Sequence, residues 1–283
     1  MKLCSICDRN IYLLKEINGD QIWECRDCSV AYTRQEKTYN IYNNKIDYKI
    51  NTYRRLEKYH EKQFRNIINT VTRFISSGNL LEVGAGFGLF SSLLSEYKNY
   101  SIEVIEPHLS LYFLKNNQKV IMHRKKYEEF LKENKKKYDG VFFLDVLEHF
   151  DRPDDILRRT RKILSINGYL ILQLPNYRSL MARICKDWSW WMVSDHKIHF
   201  SPRSAKLLLE KEGYMVRYIT TYEPWYDFKK NLDGNFTYIQ SSMLRKSIKL
   251  VFFLLFVPFY FLFRSLVWRS DYGGLLLIIA KKL

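Results

Sequence analysis

From Gly78 onward the chain alternates short apolar runs with amphipathic stretches, and few folds accommodate that rhythm. Seven runs read as strands, at residues 80–83, 102–105, 120–122, 141–144, 170–174, 216–221 and 275–280. Helical patterns separate most of them. A strand that returns through a helix joins its neighbour in parallel, so the pattern predicts a largely parallel sheet covered on both faces. The fold class is α/β, Rossmann-like. An apolar share of 47% supplies a full core for it and excludes a disordered chain. At 283 residues there is room for one large domain and a small companion. The expected division is a ribbon at 1–36, a helical connector at 37–76 and the sheet domain at 77–283, with 240–270 a hydrophobic insertion before the last strand.

Four of the five cysteines fall within the first 28 residues, as Cys4-x-x-Cys7 and Cys25-x-x-Cys28 with 17 residues between the pairs. Two such pairs offer four thiolates, the donor set of a tetrahedral structural zinc. With all four ligands from protein, no position is left for catalysis. The stretch 11–23 suits a β-hairpin turning at Asn18-Gly19. The opening Met1-Lys2-Leu3-Cys4 has no apolar signal region, which predicts a reducing cytoplasmic setting that disfavours disulfides. Cys185 stands apart and is expected to pack as an apolar side chain.

The first strand of the sheet runs into Glu82-Val-Gly84-Ala-Gly86-Phe-Gly88 and then a helical stretch at 89–97. Glycines permit a sharp turn and close approach to a ligand, and the helix that follows offers unpaired N–H groups. The next strand ends at Glu106, 22 residues beyond Gly84. A carboxylate at that strand end can accept from both hydroxyls of an adenosine ribose.

Together with Tyr138-Asp139-Gly-Val-Phe-Phe-Leu-Asp145-Val-Leu-Glu148-His149 and His196-Lys-Ile-His199-Phe-Ser-Pro202, these motifs resemble class I S-adenosylmethionine-dependent methyltransferases. The similarity is to ubiquinone-type and bacterial polysaccharide-cluster members, some of which carry an N-terminal zinc ribbon. The resemblance implies that Gly84, Gly86 and Gly88 lie against the cofactor, that Glu106 holds its ribose, and that Glu82 sits near its methionine ammonium. It also implies that Asp145 lines the pocket. In ubiquinone-type relatives the stretch matching Asp145, Glu148 and His149 binds a divalent metal; here Asp replaces the longer Glu at the first place.

The sulfonium already activates the methyl group, so the protein must align donor and acceptor and, where needed, remove a proton. His149, His196 and His199 are the candidate bases, because imidazole titrates near neutrality. Trp188-Ser-Trp190-Trp191, just ahead of the last two, either closes over an acceptor or packs in a core. The function expected is methyl transfer, as O-methylation, to a small-molecule, glycan or lipid-linked acceptor. The alternatives are an RNA or other nucleic-acid methyltransferase, raised by a net charge of +16 and the ribbon, and a noncatalytic membrane-associated scaffold that binds the cofactor. Nucleic acid is the lesser reading, since the Asn/Asp-Pro-Pro-aromatic turn of enzymes that modify exocyclic amines is replaced here by Asp145-Val-Leu-Glu148.

Residues 250–263 are fourteen consecutive apolar residues, flanked by Arg245, Lys246, Lys249, Arg264 and Arg269. As a helix they span about 21 Å, short of a hydrocarbon core of about 30 Å. The strands on either side belong to one sheet, so a single crossing is excluded. The expectation is an in-plane or re-entrant anchor on an anionic membrane surface at the inner face of the cell membrane, with a buried core helix as the alternative.

Overall fold

The computed structural model describes residues 3–35, 46–107, 111–185, 188–237 and 239–283. The chain divides into two compact units. One comprises Met1–Gln35, Pro175–Ala205 and Ile219–Leu276; the other comprises Glu36–Leu174, Lys206–Tyr218 and Leu277–Leu283.

The chain opens with three short strands, β1 (Tyr12–Ile17), β2 (Asp20–Cys25) and β3 (Val30–Arg34). Asn18 and Gly19 turn β1 into β2 with φ of 54° and 90°. Positive φ at both central residues matches the twist of a two-residue hairpin, which is why Asn-Gly occupies the turn. Helices α1 (Ile46–Arg55) and α2 (Glu57–Val71) follow, then β4 (Gly78–Val83), α3 (Leu89–Leu94), β5 (Tyr100–Ile105), β6 (Val120–His123) and α4 (Tyr127–Glu133). Next come β7 (Tyr138–Leu144), α5 (Pro153–Ile163) and β8 (Leu164–Pro175). The last third holds α6 (Leu180–Ile184), β9 (Ile198–His199), α7 (Pro202–Lys211), β10 (Tyr214–Tyr222), α8 (Trp225–Gly234), α9 (Ser242–Arg269) and β11 (Leu275–Lys282).

Seven strands form one sheet in the order β10-β11-β8-β7-β4-β5-β6, with β6, β5, β4, β7 and β8 paired in parallel. This is the α/β, Rossmann-like sheet that the alternation predicts. Its central strands are apolar on both faces: Val141, Phe142 and Phe143 of β7 and Leu170 and Ile171 of β8 are fully buried. Phe64 of α2, Phe90 of α3 and Phe142 pack through the core, the first pair edge-on at 5.5 Å and the second tilted at 5.2 Å between ring centres. Because β4 lies between β5 and β7, the carboxyl ends of the three strands sit side by side. There the strand order reverses, the place where open α/β sheets bind ligands.

The other unit is built on a four-stranded sheet, β1-β2-β3-β9. The two residues of β9 pair with Tyr32 and Ala31 of β3, supplying an edge from more than 160 residues downstream. Ile22 and Ala31 of the N-terminal strands share a core with Tyr177, Met181, Trp188, Trp191, Phe228, Leu232 and Tyr260. Contacts therefore group the ribbon with the segment after β8 and with α8 and α9. The division at 1–36, 37–76 and 77–283 differs from this, because a ribbon this small buries its apolar residues against later stretches rather than alone. The 36/37 boundary lies outside the described residues.

Candidate functional site

In the sheet unit, the turn after β4 holds Gly84, Gly86 and Gly88 at φ of 73°, 58° and 83°, the left-handed region that glycine enters without penalty. A Cβ on Gly84 would lie 2.6 Å from Val146, and one on Gly88 2.7 Å from Leu114. Glu106 follows β5, and its carboxylate accepts the Gly86 N–H at 2.9 Å. Glu82, the penultimate residue of β4, is buried and accepts a hydrogen bond from the Ser91 hydroxyl of α3. Burial, reinforced by the charge of Glu106, pushes its carboxyl up to about 7, against the opposing pull of the Ser91 hydroxyl and N–H.

Asp145, one residue past β7, adopts φ of 57°. That conformation is uncommon for a residue with a Cβ, and it is held by the Asp145 N–H donating to the Gln173 carbonyl and the Gln173 amide donating back to the carboxylate at 2.6 Å. Gln63 of α2 donates in turn to Gln173 at 3.2 Å, so a relay of amides fixes the acid from behind. Glu148 is buried, and desolvation followed by the Asp145 charge raises its carboxyl well above the usual range. His149 ends the same short turn and is exposed.

The structure thus brings the three glycines, Glu82, Glu106 and Asp145 to one end of the sheet. A left-handed glycine turn beside a carboxylate at the end of the neighbouring strand fits S-adenosylmethionine, with Glu106 the residue that would accept from a ribose diol. Sequence reasoning missed Ser91, Gln63, Gln173 and Tyr53 of α1, whose ring lies 5.1 Å from Phe87 of the turn. None stands in a motif. Only the fold brings α2 and the end of β8 to Asp145.

His196 and His199 belong to the other unit. His199 of β9 is buried, with its Nε2 2.8 Å from the Thr33 hydroxyl and its ring edge-on to Trp191 at 5.0 Å. Desolvation lowers it to about 3, which keeps it neutral. His196 donates from Nδ1 to the Trp190 carbonyl at 3.0 Å. Trp188 and Trp191 are buried in the core and pack edge-on at 5.4 Å; Trp190 is half-buried. Cys185 is buried as well, with its thiol pushed up to about 11 by that burial and accepting from the Asn235 amide.

The four N-terminal cysteines converge. Sγ atoms of Cys4 and Cys28 are 3.4 Å apart, Cys7 and Cys25 3.5 Å, Cys7 and Cys28 3.6 Å, and all four lie within 4.8 Å of one another. A tetrahedral zinc with Zn–S bonds of about 2.3 Å sets sulfurs about 3.8 Å apart, so the cluster fits the ion. Each Cys-x-x-Cys turns through a left-handed residue directly after its second cysteine, Asp8 at φ 58° and Ser29 at φ 55°. Tyr32 lies with its hydroxyl 3.2 Å from the Cys4 sulfur. Hydrogen bonds, first from Cys28 and then from Tyr32 and nearby amides, lower the Cys4 thiol, while Cys28 is pushed upward by the proximity of Cys4. Thiolates this close repel one another, which a bound cation relieves.

A family model described as "Methyltransferase domain" matches residues 56–219. No curated protein matches the sequence. Among solved structures, a SAM-dependent methyltransferase from Archaeoglobus fulgidus is similar at 21% identity and TM-score 0.55, over 82% of this chain and 99% of that one. A chain in the complex of the Haloferax volcanii Trm112 methyltransferase activator with a methyltransferase is similar at 12% identity and TM-score 0.56, over 85% and 97%. The plantazolicin methyltransferase BpumL, in complex with a monoazolic desmethylPZN analog and SAH, is similar at 16% identity and TM-score 0.51, over 83% and 88%. The family match spans more than half the chain, and the seven-stranded sheet with its glycine turn agrees with it: the protein belongs to the methyltransferase-domain family of SAM-dependent enzymes.

Proposed function

We propose that the protein transfers a methyl group from S-adenosylmethionine to a hydroxyl of a small-molecule, glycan or lipid-linked acceptor at a membrane surface. The observation that carries the cofactor half is the glycine turn with Glu106 hydrogen-bonded across it. Glu106 accepts from the ribose hydroxyls, Glu82 faces the methionine ammonium, and the amide relay holds Asp145 at the pocket wall. When bound, the cofactor supplies an activated methyl on a sulfonium. What remains for this chain is alignment and removal of the acceptor proton, and His149, exposed beside the strand ends, is the base we favour. His199 is tied to Thr33 inside a sheet and held neutral, which suits a structural role. Zinc at Cys4, Cys7, Cys25 and Cys28 is structural.

The membrane half rests on α9. It has a mean hydropathy of 2.2 across an 18-residue window, only 6% of it buried. Leu250, Leu254, Phe259, Leu262 and Leu266 are each at least 60% exposed. Phe252, Phe253, Phe256, Val257 and Tyr260 pack against the core of their own unit. At 3.6 residues per turn, Arg245, Lys246, Lys249 and Arg264 share that packed side, and only Arg269, at the helix end, lies on the outward arc. A helix with one side against protein and the other apolar suits lying in a leaflet, with cations at headgroup level. The test is methyl transfer from labelled cofactor to lipid, glycan and RNA extracts, with wild type against His149→Ala. Label in the lipid or glycan fraction that falls about 100-fold in the variant supports the reading; label in RNA alone overturns it.

A further inference from the structure

The amino-acid end of the cofactor is zwitterionic, and the cleft described so far serves only half of it. Glu82 and Asp145 suit an ammonium and repel a carboxylate. Backbone amides are the ordinary donors for that carboxylate, but four of those in the turn are already engaged. The N–H groups of Gly84 and Ala85 both donate to the Ile105 carbonyl, that of Gly88 to Ala85, and that of Gly86 to Glu106. That leaves the first amides of α3, and a side-chain donor beside the turn would complete the set.

Tyr53 stands beside the turn. Its ring stacks on His60 of α2 at 4.4 Å and 9° between planes, and meets Phe87 of the turn at 5.1 Å and Phe113 at 6.1 Å. Phe113 is itself fixed to the turn by its N–H donating to the Phe87 carbonyl at 2.9 Å. Three rings from three separate stretches thus hold one phenol at the mouth of the turn. The charges that act on that phenol, Glu82, Asp145 and Glu57, are all acids. With burial they raise its deprotonation well above the ordinary range, so the hydroxyl stays a donor at any physiological pH. His60 is lowered to about 4 by burial, so the stacked partner is neutral.

We propose that Tyr53 is a cofactor-positioning residue: its hydroxyl donates to the methionine carboxylate of S-adenosylmethionine, and its ring, clamped by His60, Phe87 and Phe113, closes that end of the cleft. This rests on the reading of the glycine turn as the cofactor site. The experiment compares two nucleosides by titration calorimetry, S-adenosylhomocysteine and 5′-methylthioadenosine, which lacks the amino-acid end. Tyr53→Phe keeps the ring and removes the donor. It should weaken S-adenosylhomocysteine by about tenfold or more, the worth of a hydrogen bond to a charged group, and leave 5′-methylthioadenosine within about twofold. Equal loss for both ligands would make Tyr53 a packing residue only and overturn the proposal. No loss for either would overturn it too. A wild type that binds neither nucleoside would instead remove the cofactor reading of the cleft, and the proposal with it. The melting temperature of the free variant, expected unchanged, guards against a folding defect.

Discussion

Glu82 carries the most telling titration in the molecule. Its carboxyl stands near 7 in the folded chain, against an ordinary value of 4.5. A raised acid favours the folded state while it is protonated. Its contribution is complete below the unfolded value and is lost as pH rises from about 4.5 through 7, an effect of roughly 3 kcal/mol for so buried a group. Cofactor binding should run the other way, since an ammonium beside Glu82 favours the carboxylate. We expect the melting temperature of the free protein to fall between pH 5 and 8 while affinity for S-adenosylmethionine rises, and Glu82→Gln to flatten both curves. Parallel thermal melts and calorimetry would check this; a pH-independent affinity in the wild type would mean that the ammonium lies elsewhere. Glu106→Ala, which removes the proposed ribose acceptor, should weaken the cofactor by about 1.5–3 kcal/mol, read by the same titration. Gly84→Ala should destabilise by roughly 1–3 kcal/mol in chemical denaturation, because a Cβ meets Val146 at 2.6 Å on a residue with φ of 73°. Glu82, the glycines and Glu106 were legible because they are contiguous or at fixed offsets along the chain. Tyr53, Gln63 and Gln173 were not, because nothing local marks a side chain whose partners sit on other elements.

At the scale of elements, all seven sheet strands were legible from apolar runs, and each came out one or more residues longer than its run. Polar residues such as Asn79 and Ser101 pair in the ladder without adding to the apolar signal. Helix α9 departs most from its sequence signature. Fourteen apolar residues measure about 21 Å, but the helix continues through its basic flanks to 28 residues, about 42 Å. Length alone no longer bars a crossing; the face packed on Phe228 and Leu232 takes over that argument. It also decides which residues can serve as probes. Phe253 and Phe256 point into the core, so charges there would unfold the unit, whereas Leu254, Leu262 and Leu266 are exposed. With those three changed to Asp, vesicle co-sedimentation with anionic lipid should fall at least tenfold and the melting temperature should hold. A wild type left in the supernatant at low salt would end the anchor reading.

At the scale of the molecule, the two units are predicted to answer differently to loss of metal. Chelation, or Cys25→Ser, should raise hydrogen exchange through β1–β3, residues 175–205 and 219–276, while β4, β5 and β7 keep their protection and the cofactor still binds. Exchange that rises evenly across both units would contradict the division. The ribbon itself could be read from two Cys-x-x-Cys pairs and an Asn-Gly turn. Its partners could not, because β9 is only two residues long and no periodicity survives at that length.

That brief strand carries a consequence for biosynthesis. As the chain emerges from the ribosome, its first 35 residues can take up metal early, but the sheet they begin lacks its fourth member until Ile198 and His199 appear. The core they share waits longer still, for Phe228 and Tyr260. The larger sheet waits for β11, second from its edge, which follows its other six strands in the chain. The four-stranded sheet and its shared core thus have all their members before the larger sheet can close. Truncated chains ending between Arg269 and Leu275 should protect β1–β3 from protease while β4, β5 and β7 remain sensitive.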